Sequence, residues 1–175
     1  MHTGLNATAS RLREPRESDH EELAALRLDT ALQHKLMAYP TGRGSEDIDS
    51  WIARRTDEPG GAFMVVVDDR DQCVGYVQIF SVHRLGCYGY FGIALADAAR
   101  GRGWGRGALE DLTEHARKYL GLYKLLLEVR ADNAAAIRLY ETAGFRTVGV
   151  LERHYDDGHS RHDAIIMERI LKDAG

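Results

Sequence analysis

The residues most able to do chemistry in this chain form one glycine–arginine run, Ala96-Asp97-Ala98-Ala99-Arg100-Gly101-Arg102-Gly103-Trp104-Gly105-Arg106-Gly107. Alternate glycines remove Cβ atoms where backbone amides must come close to a ligand. The run leads into a helical pattern, so its end coincides with unpaired N–H groups and the positive end of a helix dipole, both of which favour an anion. Arg100, Arg102 and Arg106 add forked donors suited to phosphate. The chemistry is that of a pyrophosphate cradle, set against the plainer reading of a basic loop that happens to precede a helix. A P-loop requires Gly-Lys-Ser/Thr after its glycines, which this chain lacks. Gly103, Gly105 and Ala108 match the dinucleotide pattern G-x-G-x-x-G/A, and Glu128 lies at roughly the 20-residue spacing of the ribose-binding acid. That fold places its first glycine directly after its first strand; here three antiparallel-looking strands come first, which makes a nicotinamide oxidoreductase the weaker alternative. An RGG-type RNA-binding segment is weaker again, because this loop is embedded in periodic structure.

The elements that must position the loop follow from periodicity. Met1–Ser10 is polar and aperiodic, a flexible tail, and residues 11–175 form a single domain. Arg11–Glu14 is a short strand ended by Pro15. Ser18, with Glu21 at capping-box spacing, opens a helix carrying Leu23, Leu26 and Leu28 to about Thr30. A loop over 33–44 contains Pro40 and two glycines, and Ser45 caps a second helix with Ile48, Trp51 and Ile52 on one face. Period two then sets in. Phe63–Val67, Val74–Val82 and Tyr88–Leu95 are strands, Trp104–Leu120 a helix buried along Leu109, Leu112, Ala116 and Tyr119, and Tyr123–Val129 a buried strand. Asn133 caps a helix to Thr142 that Gly144 ends. Phe145–Tyr155 and His162–Ile170 are strands joined through Asp156-Asp157-Gly158. The order βααβββαβαββ is an α+β domain around a mixed, mostly antiparallel sheet.

Composition sets the limits. The 175 residues are 44% hydrophobic and 29% charged, with net charge −4. That balance argues against a nucleic-acid backbone as partner and is compatible with an amine substrate. Nothing approaches eighteen consecutive apolar residues, so no membrane helix is expected. Cys73 and Cys87 fall near opposite ends of a hairpin, separated by strand on the order of 30 Å, beyond disulfide reach. A reducing, cytoplasmic setting follows as the expectation.

Taken with the segment Asn133-Ala134-Ala135-Ala136-Ile137-Arg138-Leu139-Tyr140-Glu141-Thr142-Ala143-Gly144-Phe145, the chain resembles the GCN5-related N-acetyltransferase superfamily. Arg100, Gly103 and Gly105 meet that family's Arg/Gln-x-x-Gly-x-Gly/Ala motif after the fourth strand, and the second segment looks like N-x-x-A-x-x-L-Y-E-x-x-G-F. The likeness is firm over about residues 62–171. The Gly158–Met167 hairpin, with Asp163 before an apolar strand, looks most like the branch of ribosomal-protein, polyamine and nucleotide-sugar amine acetyltransferases. The resemblance implies acetyl-CoA as co-substrate, an amine acceptor, no metal, and is compatible with a homodimer. It implies that pantetheine slots where the fourth and fifth strands splay, with backbone contacts from Ile93, Ala94 and Leu95 and the Leu95 N–H as oxyanion donor. Arg100, Gly101, Arg102, Gly103, Trp104 and Gly105 would cradle the pyrophosphate, Asn133 would bond the cofactor, and Tyr140 would sit by the sulfur as general acid. Read without its flanking motif, Tyr140 is simply a core aromatic.

The general base is less defined. Many relatives of this branch carry Glu where Tyr90 stands here. Glu128 is the best remaining carboxylate, acting directly or through a water, and it reads equally well as a solvated strand residue; His83 is a third option. His154, Asp156, Asp157, His159, His162 and Asp163 read as a solvated turn in preference to a metal site. His34, Tyr39 and Trp51 lie where relatives cover the acceptor, although packing suits Trp51 better. Beside the enzyme stands a rival from another class, a non-catalytic acyl-CoA-binding sensor.

Overall fold

A computed structural model of the chain describes residues 11–38 and 47–171. The expected tail, the Ser45 cap, Tyr39 and the Pro40 loop lie outside the described residues. The element order is β1 (Leu12–Arg13), a 3-10 turn (Glu17–Asp19), α1 (His20–Leu28), α2 (Thr30–Lys35), α3 (Ile48–Thr56), β2 (Ala62–Val67), β3 (Cys73–His83), β4 (Tyr88–Leu95), a second 3-10 turn (Asp97–Ala99), α4 (Trp104–Lys118), β5 (Lys124–Arg130), α5 (Ala134–Thr142), β6 (Arg146–Asp156) and β7 (Arg161–Ile170). The seven strands make one sheet in the order β1-β2-β3-β4-β5-β7-β6. Every neighbouring pair is antiparallel except β4–β5. One parallel pair is far from the alternating parallel sheet that a dinucleotide enzyme requires, and the nicotinamide reading falls with it.

Strand alternation divides the core between the two faces of the sheet. Val77, Ile79, Phe91, Leu125, Leu127 and Met167 pack with Leu109 and Leu112 of α4 and Tyr140 of α5. On the other face, Val65, Val67, Tyr76 and Ala94 meet Leu23, Leu26, Leu32 and Trp51 from α1–α3. Trp51 is 5% exposed, with Phe63 and Tyr76 edge-on against it.

The helix starts differ from expectation where a stronger acceptor was available. The Ser18–Glu21 capping box does not form. Asp19, 2% exposed, instead accepts from the Arg16 amide at 2.7 Å and from both ends of the Arg13 guanidinium at 2.7 and 3.0 Å, and α1 begins one residue later. α2, only six residues long, carries too little periodicity to be read; Asp29 caps it by accepting from Leu32 N at 2.9 Å. Asp47 caps α3 in the same way through Ser50 N. α4 ends at Lys118, which leaves Tyr119 76% exposed instead of on the buried stripe. Cys73 and Cys87 are free thiols, and burial pushes Cys73 up to about 11.

Candidate functional site

The site begins where β4 and β5 part. They pair in parallel only at Tyr88–Lys124, Gly89–Leu125 and Tyr90–Leu126, although both strands continue beyond that point. β3 stays in register with β4 through Gly75–Leu95, and Ala96 N then donates to Val74 O at 2.9 Å. Alternation from that bond turns the peptide groups of Ala94 and Gly92 toward β3, and those of Phe91, Ile93 and Leu95 toward the gap. Leu95 O accepts from Arg100 at 3.3 Å, while its N–H looks into the gap. Of the three residues the resemblance names here, Ala94 turns its amide and carbonyl to the β3 ladder and does not line the opening.

The gap opens into a cleft of about 1160 Å³. Ile93 and Leu95 line it beside the loop glycines Gly101, Gly103 and Gly105, with Glu128, Asn133 and Tyr140 opposite. Gly101 and Gly103 have φ of +73° and +80°, a region that L side chains avoid, and a Cβ on either would meet nothing within 4 Å. Gly103 caps α4 without a side-chain bond, and no acidic residue occupies the first turn. Gly107 N makes the first helical bond, to Gly103 O, so the amides of Trp104, Gly105 and Arg106 have no helical partner. Arg100 is braced by Asp97 at 2.6 Å, and Arg102 reaches back to Ala98 O and over the Trp104 ring. An open anion-binding end thus adjoins a strand edge with unpaired amides. This arrangement fits an extended ligand with a phosphate at one end and amide-like groups along its length.

Tyr140 stands at the fork. Its ring meets Phe91 edge-on at 5.6 Å and Phe145 at 6.1 Å, and it is 7% exposed. Among the described residues nothing hydrogen-bonds its hydroxyl, yet that oxygen is not sealed from the surface, so it opens on the cleft. Burial raises its pKa, and the phenol keeps its proton throughout the neutral range. Asn133 caps α5 by accepting from Ala136 N at 3.3 Å, which leaves its NH2 donors for a ligand. Glu128 is on the rim, 3.4 Å from His154 Nε2.

Other candidates separate from the site. His83 stacks on Tyr88 at 5.0 Å and accepts from Gly86 N within the β3–β4 turn. The hairpin residues bond one another: Asp157 accepts from His159 and Ser160 amides and lies 2.6 Å from His162, and Asp163 accepts from Arg153 N. His34 turns from the cleft to Tyr155 Oη, 2.8 Å away. On the other wall, sequence reasoning named the region through His34, Tyr39 and Trp51, of which Trp51 lines the cleft, but missed the residues around it. Gln33, Leu36, Met37 and Ala38 of α2 and its exit, with Arg27, Arg54, Arg55 and Gln78, face the opening from the α1–α3 side.

The model of the acetyltransferase (GNAT) family matches residues 28–145. The chain belongs to that family. It is 44% identical over 77 residues to the [ribosomal protein bS18]-alanine N-acetyltransferase of Escherichia coli (strain K12), covering 44% of this chain and 51% of that one. With the spermidine N(1)-acetyltransferase of Vibrio cholerae it shares 28% identity over 91 residues, 52% of this chain and 53% of the relative. The matches thus span about half the length of these relatives. Among solved structures, a spermidine N-acetyltransferase from Vibrio cholerae in complex with CoA and spermine superposes with TM-score 0.83 at 20% identity, covering 91% of this chain and 94% of that one. A ribosomal-protein-alanine N-acetyltransferase from Brucella melitensis gives TM-score 0.76 at 26% identity, with 91% and 99% covered. The GNAT fold, with its mixed and mostly antiparallel sheet, is the one expected from the two motifs.

Proposed function

We propose that this protein transfers an acetyl group from acetyl-CoA to a primary amine by direct attack. The observation that carries the reading is the fork: unpaired amides of Ile93 and Leu95 lead straight to the uncapped end of α4, with the Tyr140 hydroxyl opening beside them. The fit to acetyl-CoA is one of kind at each point. Backbone donors on Gly101–Gly105 suit the pyrophosphate, the open edge of β4 suits the amide-bearing pantetheine arm, and Asn133 has donors to spare. Bound acetyl-CoA supplies an activated thioester carbonyl and a thiolate leaving group.

The chain's own groups do the rest. The Leu95 N–H sits where a carbonyl oxygen gaining negative charge would be stabilised by a fixed donor. Tyr140 Oη holds a proton for the departing sulfur and recovers it from solvent afterwards. Its raised pKa keeps the donor form fully populated at the pH of the reaction. An ammonium group near pKa 10.4 must shed a proton before attack. Glu128, on the rim beside His154, takes that proton directly or through water. Tyr90, half-buried against Phe80, shapes the cleft without serving as base.

Thiol release from acetyl-CoA across a panel of amines tests the reading. Acceptor-dependent release supports it. Tight acetyl-CoA binding with no release for any amine would replace it with a sensor.

A further inference from the structure

Resting on that reading, we propose that the acceptor is an amine with a single positive charge and a bulky apolar group within a few bonds of the reacting nitrogen. The seat for that group is Phe80 on β3 and Tyr90 on β4. The two are cross-strand partners whose ring centres lie 6.1 Å apart at a tilt of 33°, and both line the cleft. Each is half-buried, which leaves aromatic surface open to the cleft instead of sealed in the core.

The platform adjoins the fork. Strand alternation puts Gln78, Phe80, Tyr90 and Gly92 on one face of the sheet. Tyr90 pairs with Leu126, so Glu128 falls on that same face, one step further along β5. Between the rings and the end of β4 the floor is Gly92, overlain by an amide: Gln78 Nε2 stands 3.3 Å from where a Cβ on Gly92 would be. Gln78 Oε1 accepts from Arg55 Nη1 at 2.8 Å, which fixes the way this amide faces. An amine reaching the gap over this floor therefore passes two aromatic rings and one neutral amide, with the proposed proton acceptor beside them. Charge points the same way. Glu128 is the sole carboxylate among the described residues lining the cleft, and His154 Nε2 already lies 3.4 Å from it. One carboxylate serves one ammonium. A polyamine would carry further ammonium groups into the cleft with no carboxylate there to receive them, at a cost in desolvation. An apolar substituent instead gains by leaving water against the rings.

The test compares matched acceptors on the full chain by thiol release. One pair is 3-phenylpropylamine against propylamine; the other is phenylalaninamide against alaninamide. Spermidine is the polycationic probe. The aromatic member of at least one pair is expected to have the higher kcat/KM by about tenfold or more, and which pair responds tells a simple amine from an aminoacyl terminus. The advantage should fall to within about threefold in Phe80→Ala and in Tyr90→Ala and return in Tyr90→Phe, which restores the ring without the hydroxyl, while the Kd for acetyl-CoA stays unchanged throughout. Should the alanine variants fold poorly, the wild-type pairs and spermidine still decide. Equal rates within both pairs, spermidine as the better acceptor, or a preference that survives both ring truncations would overturn the proposal while leaving acetyl transfer intact. No release with any amine would overturn both.

Discussion

Replacing Tyr140 by Phe isolates one atom. The ring's partners, Phe91 at 5.6 Å and Phe145 at 6.1 Å, keep their contacts, and no described protein group loses a hydrogen bond. A swap that conserves volume to this degree costs under about 1.5 kcal/mol of stability. If the hydroxyl delivers the proton to sulfur, kcat should fall by about 10²–10⁴-fold, whereas the Kd for acetyl-CoA should barely change. Single-turnover thiol release and calorimetric titration with acetyl-CoA measure the two quantities separately. A second signature comes from pH. Burial raises the folded-state pKa of this phenol above its unfolded value of about 10. Its contribution to stability is therefore complete below pH 10 and is lost as pH rises through the folded value, so the variant should lack that alkaline component. Undiminished turnover, with the alkaline component gone as expected, would remove Tyr140 from the chemistry and leave it a packing residue.

Three further substitutions probe the surroundings. Gly103→Ala puts a side chain at φ +80° in otherwise open space, at a strain of about 1–2 kcal/mol; thermal melts should show a modest loss, and titration an acetyl-CoA Kd at least tenfold weaker. Tyr155→Phe removes the hydroxyl that lies 2.8 Å from His34 Nδ1 and donates to Ala38 O at 3.2 Å, bonds that tie the exit of α2 to β6. With a hydrogen bond worth about 1 kcal/mol, the acceptor KM should rise roughly fivefold in steady-state assays without loss of acetyl-CoA affinity. Asp19→Asn removes one of the two carboxylates that hold the half-buried Arg13 guanidinium, Asp71 remaining at 2.8 Å, and should cost roughly 1–3 kcal/mol in urea unfolding. Burial raises the Asp19 pKa, but hydrogen bonds from Arg13 and the Arg16 amide outweigh it and the net shift is downward. Wild-type stability from this group is thus complete above about pH 4 and lost as pH falls through the folded value, and the variant should be flatter over that acid range.

The β-strands and the glycine-rich loop before α4 were legible because each rests on a local signal. Alternation marks β2–β4, and glycines beside a helix start mark residues 101–105. Asn133 and Gly144 punctuate α5 at both ends, and the helix in the structure runs between them. The α1–α3 wall of the cleft gave less of a signal. α2 is too short to show a period, and Arg55 and Gln78 meet across 23 positions of sequence through a single hydrogen bond. The placement of Ala94 was hidden for a related reason. A resemblance can name three consecutive residues, but which of them turns its peptide toward the gap is decided by hydrogen-bond parity with β3, fixed through Ala96 and Val74.

The same parity explains why the fork is both a structural and a chemical device. β4 satisfies alternate peptides on β3, so its remaining peptides can stay unpaired only if something holds β5 away. The last pair is Tyr90–Leu126, and the next residue along β4, Phe91, is the one whose ring takes Tyr140 and Phe145 against it. These three rings fill the core side of the fork at the point where the strands diverge, so closing the gap would require displacing packed aromatic volume. The helix that delivers Tyr140 is capped by Asn133, which itself lines the cleft. Packing and chemistry therefore converge on one ring: its carbon edge keeps the amides of Ile93 and Leu95 available, and its oxygen faces the space they bound. A substitution that empties the ring, such as Tyr140→Ala, should consequently damage acetyl-CoA binding as well as turnover, in contrast to the Phe variant, which keeps the wedge and loses only the hydroxyl.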